Sequence, residues 1–238
     1  MLLQKINQKR AVGRIQVAFS GPEMSDYDNV VSLNAAWLEL LQRENRLRSG
    51  LTGMPDTLQL RISNLSRQQI DRLAATPLLL FSFREGDERY WTQVLNGNPE
   101  RDLFATPASD EVDTLVSASL GFIWQLARRN PYALRLICGA SVYWTERIAE
   151  QTFFGLLDAV RCSGDTPCAR FASQRDLWRK LLSGGVSRES MTRHAAQVTA
   201  LQAVLTDPPD NRAESWPIAA RAANTPRFSV AEEKEPGN

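Results

Sequence analysis

The sequence predicts an all-α chain, and three observations predict it. Apolar residues recur at helical spacing through most long segments, and helix-start signals such as Ser66 with Gln69 and Asn130 with Pro131 stand ahead of them. Few segments resist a helical reading, chiefly Arg14-Ile15-Gln16-Val17 and residues 78–83.

Residues 1–26 read as a poorly defined N-terminal arm. After Ser25-Asp26, Val30, Leu33, Trp37, Leu40, Leu41 and Leu47 share one face of a first helix, which Ser49-Gly50 stops. Beyond a loop at 51–55, residues 56–62 place Leu58 and Ile62 on one side. Ser66 and Gln69 form a capping box, in which each side chain satisfies an orphan backbone donor of the next helix. Ile70, Leu73 and Ala74 face inward, and Pro77 ends the helix by pushing Thr76 out of the helical region.

Residues 78–83 are too short and too evenly apolar to assign by periodicity, so a buried strand, an extended crossing segment and a helix all stay open. Glu85-Gly86-Asp87 turns the chain. Residues 90–95 either return as a partner strand, giving one short strand pair around 78–95, or form a short helix; Asn96-Gly97-Asn98-Pro99 is a loop. Ser109 caps the next helix, with Asp110, Glu111 and Asp113 in its first turn and Arg128 and Arg129 at its other end, as the helix dipole favours. Its apolar stripe is Val112, Leu115, Val116, Ile123, Trp124 and Ala127.

Asn130-Pro131 supplies a cap and a first-turn proline. The helix that follows can be drawn as far as Val160 through Leu134, Ile137, Tyr143, Trp144, Ile148 and Leu157, and at that length a kink near Gly139 or Gly155 is expected. After a loop at 162–167, Leu177, Trp178, Leu181 and Leu182 define a short helix broken by Gly184-Gly185. Ser187 is expected to cap a final helix carrying Met191, Ala195, Val198, Leu201 and Leu205. Residues 207–238 contain five prolines and few apolar residues, and read as a disordered tail.

The 238 residues suffice for one large domain or two small ones, and 43% hydrophobic content with six Trp and nine Phe suffices for a core. With 28 basic against 27 acidic residues, no whole-molecule field would hold DNA or an anionic membrane. Two local runs are basic: Lys5, Lys9, Arg10 and Arg14, and then Arg161, Arg170, Arg175, Arg179, Lys180, Arg188 and Arg193. Each reads first as a solvated surface, with a phosphate-facing patch as the alternative. The start lacks the apolar segment of a secretory signal, and no apolar run reaches the ~18 residues of a membrane span. A cytoplasmic protein that does not enter the membrane is expected.

Three cysteines (Cys138, Cys162, Cys168) argue against a disulfide framework, and a four-ligand zinc site would need all of them plus His194, the single histidine. No metal or cofactor is expected. His194 follows Ser190 by four residues, but no nucleophile elbow, P-loop or dinucleotide fingerprint accompanies the pair. A non-enzymatic chain is therefore expected. Two segments have the outline of bihelical DNA-binding units. Residues 175–205 form helix, glycine turn, helix, with Arg188, Thr192, Arg193 and Gln197 on the second helix. Residues 56–75 place Arg61, Arg67 and Arg72 outside and Ile62, Leu65 and Ile70 inside.

Residues 29–43, Asn29-Val30-Val31-Ser32-Leu33-Asn34-Ala35-Ala36-Trp37-Leu38-Glu39-Leu40-Leu41-Gln42-Arg43, make a Leu- and Ala-rich helix ending in Gln-Arg. It is followed by Leu65-Ser66-Arg67-Gln68-Gln69, by Ile70-Asp71-Arg72-Leu73-Ala74-Ala75-Thr76, and by Leu78-Leu79-Leu80-Phe81-Ser82-Phe83-Arg84. In order and spacing these blocks resemble the FlhD family, subunits of the flagellar master transcription activator, over residues 27–127. The resemblance implies a helical, intertwined dimer that activates promoters with an FlhC-like, zinc-containing partner and RNA polymerase, on flagellar or mobile-element genes. Phe81 stands where some members carry a cysteine that links subunits, and the chain continues well past the family's usual end.

The expectation is therefore an FlhD-like domain at 27–129, a helical extension at 130–206 that replaces a partner subunit, adds a DNA contact or binds something else, and a DNA-binding homodimer. Arg67, Arg72, Arg179, Lys180, Arg188 and Arg193 would contact phosphate. Val30, Leu33, Trp37, Leu40, Leu41, Leu80 and Phe81 would form the dimer seam. The alternative is a protein-binding adaptor without DNA contact, docking through Tyr143, Trp144, Phe153 and Phe154.

Overall fold

A stripe of Val30, Leu33, Trp37 and Leu38 buries one side of the first helix, α1 (Met24–Glu44), and the rest of the molecule assembles against it. The computed structural model describes residues 20–44, 54–96, 110–163 and 167–206. The N-terminal residues before 20, Leu47 and the Ser49-Gly50 stop, the 97–99 part of the predicted loop, the Ser109 cap and the 207–238 tail lie outside the described residues. Among the described residues the chain forms ten α-helices, one π-helical turn and two two-residue strands, so it is predominantly helical. No described helix is long and apolar enough to cross a membrane.

After α1 come α2 (Asp56–Ser63) and α3 (Arg67–Ala74). The capping box at the start of α3 is present: the Gln69 amide donates to the Ser66 hydroxyl, and the Ser66 amide donates to Gln69 Oε1 at 2.9 Å. Gln42 at the end of α1 donates to the carbonyls of Ile62 (3.0 Å) and Leu65 (2.9 Å), which fixes the α2–α3 turn on α1.

Residues 76–80 then cross the core as an extended strap, and a buried asparagine holds it. Asn34 on α1 donates to the carbonyls of Ala74 (3.1 Å) and Leu78 (2.9 Å), and accepts from the Leu80 amide at 2.9 Å. A fully buried amide side chain is tolerated only because its donors and acceptor are used, each unmet group costing about 1–3 kcal/mol.

The strap ends in β1 (Phe81–Ser82), which pairs antiparallel with β2 (Cys168–Ala169), Phe81 opposite Ala169 and Ser82 opposite Cys168. The pairing corrects the expectation of a strand pair within 78–95. Residues 90–95 belong to α4 (Glu88–Asn96), whose Trp91 buries its ring and donates from Nε1 to the carbonyl of Phe83 at 2.9 Å.

Arg170, next to β2, is almost wholly buried. Its guanidinium donates to the carbonyls of Leu79 (2.6 Å), Phe81 (2.7 Å) and Cys138, and pairs with the buried Glu85 carboxylate at 2.9 Å. The Ser82 hydroxyl donates to the other Glu85 oxygen. Arg170 is thus removed from the basic surface run predicted for 161–193: it is an internal clasp between the strap, the end of the helix at Cys138 and β2. Two residues past each strand the chain turns through left-handed backbone, at Arg84 (φ 59°) and Phe171 (φ 58°).

The remaining helices are α5 (Asp110–Arg129), α6 (Pro131–Cys138), α7 (Val142–Glu150), α8 (Phe153–Ser163), α9 (Arg175–Lys180) and α10 (Ser190–Thr206), with the π-helical turn Leu181–Gly185 continuing α9. The single helix drawn from Pro131 to Val160 is three. Gly139 breaks it at φ 64°, as a C-terminal glycine does. The second break falls at Gln151, not at Gly155, because Ser141 and Thr152 act as helix-start residues, accepting from the amides of Trp144 (3.0 Å) and Gly155 (3.1 Å). Cys162 and Ser163, read as loop, close α8.

One continuous core runs from Val30 to Val204, so a boundary at 129/130 separates no independent cores. Its centre is aromatic, with Trp37 5.8 Å from Phe81 and 6.2 Å from Trp178, ring centre to ring centre. A second group pairs Trp91 edge-to-face with Trp144 at 5.5 Å.

Candidate nucleic-acid interface

The two bihelical units that the sequence suggests separately meet in space. The π-helical turn packs on α10 and on α3, closely at Gly184 and at ordinary contact distance at Gly185. A Cβ on Gly184 would stand 3.1 Å from the Ala196 Cβ, and one on Gly185 would stand 3.4 Å from Leu73 Cδ1. Arginines from both units donate to carbonyls in and just after this turn. Arg61 of α2 reaches the Leu182 carbonyl (3.3 Å), Arg72 of α3 the Val186 carbonyl (3.3 Å), and Arg193 of α10 the Ser187 carbonyl (2.9 Å). Arg188 stands exposed in the same turn.

None of these four guanidiniums has a carboxylate partner among the described residues. Arg43, Arg67, Arg129, Arg147, Arg161, Arg170 and Arg179 all do. A guanidinium carries five donors, and a contact to one carbonyl leaves most of them and the whole charge uncompensated. The nearby Glu189 carboxylate accepts from the Thr192 hydroxyl at 2.6 Å. Four arginines around residues 182–188 therefore form a cationic surface suited to phosphate oxygens.

A second cationic feature lies along α9. Arg175, Arg179 and Lys180 line an open cleft of about 660 Å³ with Thr199 and Ala203 opposite, and Arg179 pairs with Asp176 at 2.8 Å on the surface.

Of the residues predicted to meet phosphate, Arg72, Arg188 and Arg193 gather at the turn, and Lys180 is exposed beside the cleft. Arg67 lies against Glu39 and Asp71, and Arg179 against Asp176, in exposed pairs that cost little to open. Arg61 joins the group although it was no more than an outer-face residue in the sequence. The side chains suggested for base edges are used within the chain: Gln197 donates to the Ala75 carbonyl at 3.1 Å, and Thr192 donates to Glu189. Ser187 is not the cap of the final helix. It accepts from the Glu189 amide at 3.1 Å in a local turn, and α10 starts at Ser190.

The predicted dimer seam is the inner wall of the chain's own core. Val30, Leu33, Trp37, Leu80 and Phe81 are buried, and Leu40 and Leu41 pack half-buried beside them. The helices 56–63, 67–74 and 110–129 pack on α1, with Trp178 against Trp37 and β2 against Phe81, so the chain itself fills that face. The predicted aromatic docking face is also divided. Trp144 is internal and Phe153 packs on Trp124 at 5.9 Å, while Tyr143 and Phe154 are exposed.

Ser190 and His194 are both exposed on α10. Among the described residues no group of three His, Cys, Asp or Glu side chains is placed to hold a metal ion. Burial, and then the Glu85 charge, push the Cys168 thiol up to about 12 and also raise that of Cys138, so both stay protonated at neutral pH. Cys162 is half-buried. A disulfide reagent at pH 8 is expected to modify one thiol per folded chain, Cys162, and the other two only in denaturant. Three fast thiols in the native protein would contradict the packing around Arg170.

Comparison with protein-family models, with curated proteins and with solved structures gives no significant match for this chain.

Proposed function

We propose that the chain is a DNA-binding transcriptional regulator or co-regulator of the FlhD type, in which the arginine surface around residues 182–188 engages the phosphate backbone. The observation that carries the reading is the convergence of two bihelical units, from residues 56–75 and 175–205, on one turn whose four arginines lack carboxylate partners among the described residues. Residues 130–206 complete the cover that α2, α3 and α5 give this seam, through Trp178 on Trp37 and β2 on Phe81. On this reading the FlhD-like helices are a scaffold, and the C-terminal half closes it and adds cations.

Near-neutral net charge limits affinity, because phosphate contacts supply most non-specific binding and few cations are grouped here. Promoter recognition then requires an FlhC-like partner and contact with RNA polymerase, on flagellar or mobile-element genes. The test is a gel shift with duplex promoter DNA at about 50 mM salt. The expected outcome is weak retardation by the chain alone and strong retardation with an FlhC-like partner present. No retardation under either condition contradicts the proposal.

A further inference from the structure

The outer face of α10 is the second feature that the fold does not use. Ala196, Ala200 and Val204 face the core, and on the opposite side Met191 (77% exposed), Val198 (38%) and Leu205 (55%) follow one another at intervals of seven residues. That spacing is the seam period of helices that pair along their length; of the intervening positions His194 is exposed, while Leu201 lies half-buried at the edge of the chain's own core. Between Arg193 and the end of the helix at Thr206 there is no Asp, Glu, Lys or Arg, and Arg193 itself turns back to the Ser187 carbonyl. A solvent-facing helix ordinarily carries charge on its outer side.

We infer that this face is a two-fold seam, the docking surface for α10 of a second copy of the chain. Charge decides the occupant. A nucleic acid or a charged peptide would find no counter-charge here. A two-fold axis sets this patch against the same patch of the other copy, which is unfavourable for a face of one charge sign and harmless for this one. The helix, 17 residues and so roughly 25 Å long, offers a continuous strip to an identical strip. One helix pair lies at the small end of specific interfaces, so the dimer is expected to dissociate on dilution. The seam replaces the one expected on α1 and the strap, and it does not depend on DNA being the ligand.

The test is sedimentation equilibrium on the full chain, from about 1 to about 200 µM, with Val198→Glu and Met191→Glu beside the wild type. The expected result is a concentration-dependent dimer, weakened roughly 100-fold or more by either carboxylate, since each places two like charges in the seam. Both positions are exposed, so helical content and melting temperature should stay at the wild-type values; if Val198→Glu is unstable, Met191→Glu is the variant that decides. A wild type that stays monomeric at 200 µM overturns the inference and leaves residues 207–238 of the same chain as the cover for this face. A dimer unaffected by both substitutions overturns it as well, placing the contact elsewhere.

Discussion

Glu85→Ala is expected to destabilise the protein by about 3–5 kcal/mol, because it leaves the Arg170 guanidinium charged and unpaired in the core. Such a loss is a large part of the roughly 5–15 kcal/mol that holds a domain folded. It should appear as a large drop in the urea midpoint, or as failure to accumulate folded protein. Glu85→Gln should be milder, since the amide oxygen still accepts from Arg170 while the charge goes uncompensated. The double change Arg170→Met with Glu85→Met separates two roles. Removing a buried ion pair outright is often nearly neutral. Here it also strips donors from the carbonyls of Leu79, Phe81 and Cys138, so the double variant should remain destabilised by ~3 kcal/mol. A wild-type midpoint in the double variant would show that Arg170 serves only its carboxylate.

The second large effect is expected on DNA binding. Replacing Arg61, Arg72, Arg188 and Arg193 together by Gln keeps hydrogen-bonding side chains for the carbonyls of Leu182, Val186 and Ser187 while removing four charges. Affinity for duplex DNA at about 50 mM salt should fall on the order of 100-fold or more, with single substitutions each costing roughly 3- to 10-fold and affecting all sequences alike. Arg67→Gln and Arg179→Gln should have smaller effects, because each of those cations already faces a carboxylate. Thermal melts distinguish lost contact from lost fold: the single variants should melt near the wild type. An equal loss from Arg67→Gln would spread the interface beyond the turn.

What could be read from the sequence was local. The Ser66–Gln69 box and the Asn130–Pro131 start lie within four residues, and the structure contains both. Gly139 ends a helix through left-handed backbone, a role its residue type announces. Ser141 and Thr152 were equally local signals for the starts of α7 and α8, hidden by an apolar pattern that runs on across both breaks. The long-range features leave no periodicity. Arg170 reaches carbonyls near residue 80, so in the sequence it is indistinguishable from the surface cations on either side. Asn34 sits inside a helical stripe whose apolar members announce burial, but nothing local tells that its amide will hold a strap more than 40 residues away. β1 is too short to type alone, and its partner lies beyond five helices.

The candidate site was half legible for the same reason. Each bihelical unit was visible by itself, with its arginines outward, and the residues were named from that pattern. Their convergence depends on α10 and α3 packing on one turn, with Gly184 close against Ala196, a tertiary fact. The apolar stripe of residues 30–41 was correctly read as a buried face. Amphipathicity does not say whether another chain or the same one covers it, and here α2, α3 and α5 of the same chain do, with Trp178 against Trp37.

The most direct measurement of the central claim is the salt dependence of DNA binding by the wild type and by the four-arginine variant. For the wild type log Kd should rise linearly with log salt, and in the variant the slope should fall by roughly one for each arginine that contacts a phosphate, up to about four. An unchanged slope in the variant, or a wild type that does not bind at low salt with its partner present, would contradict it.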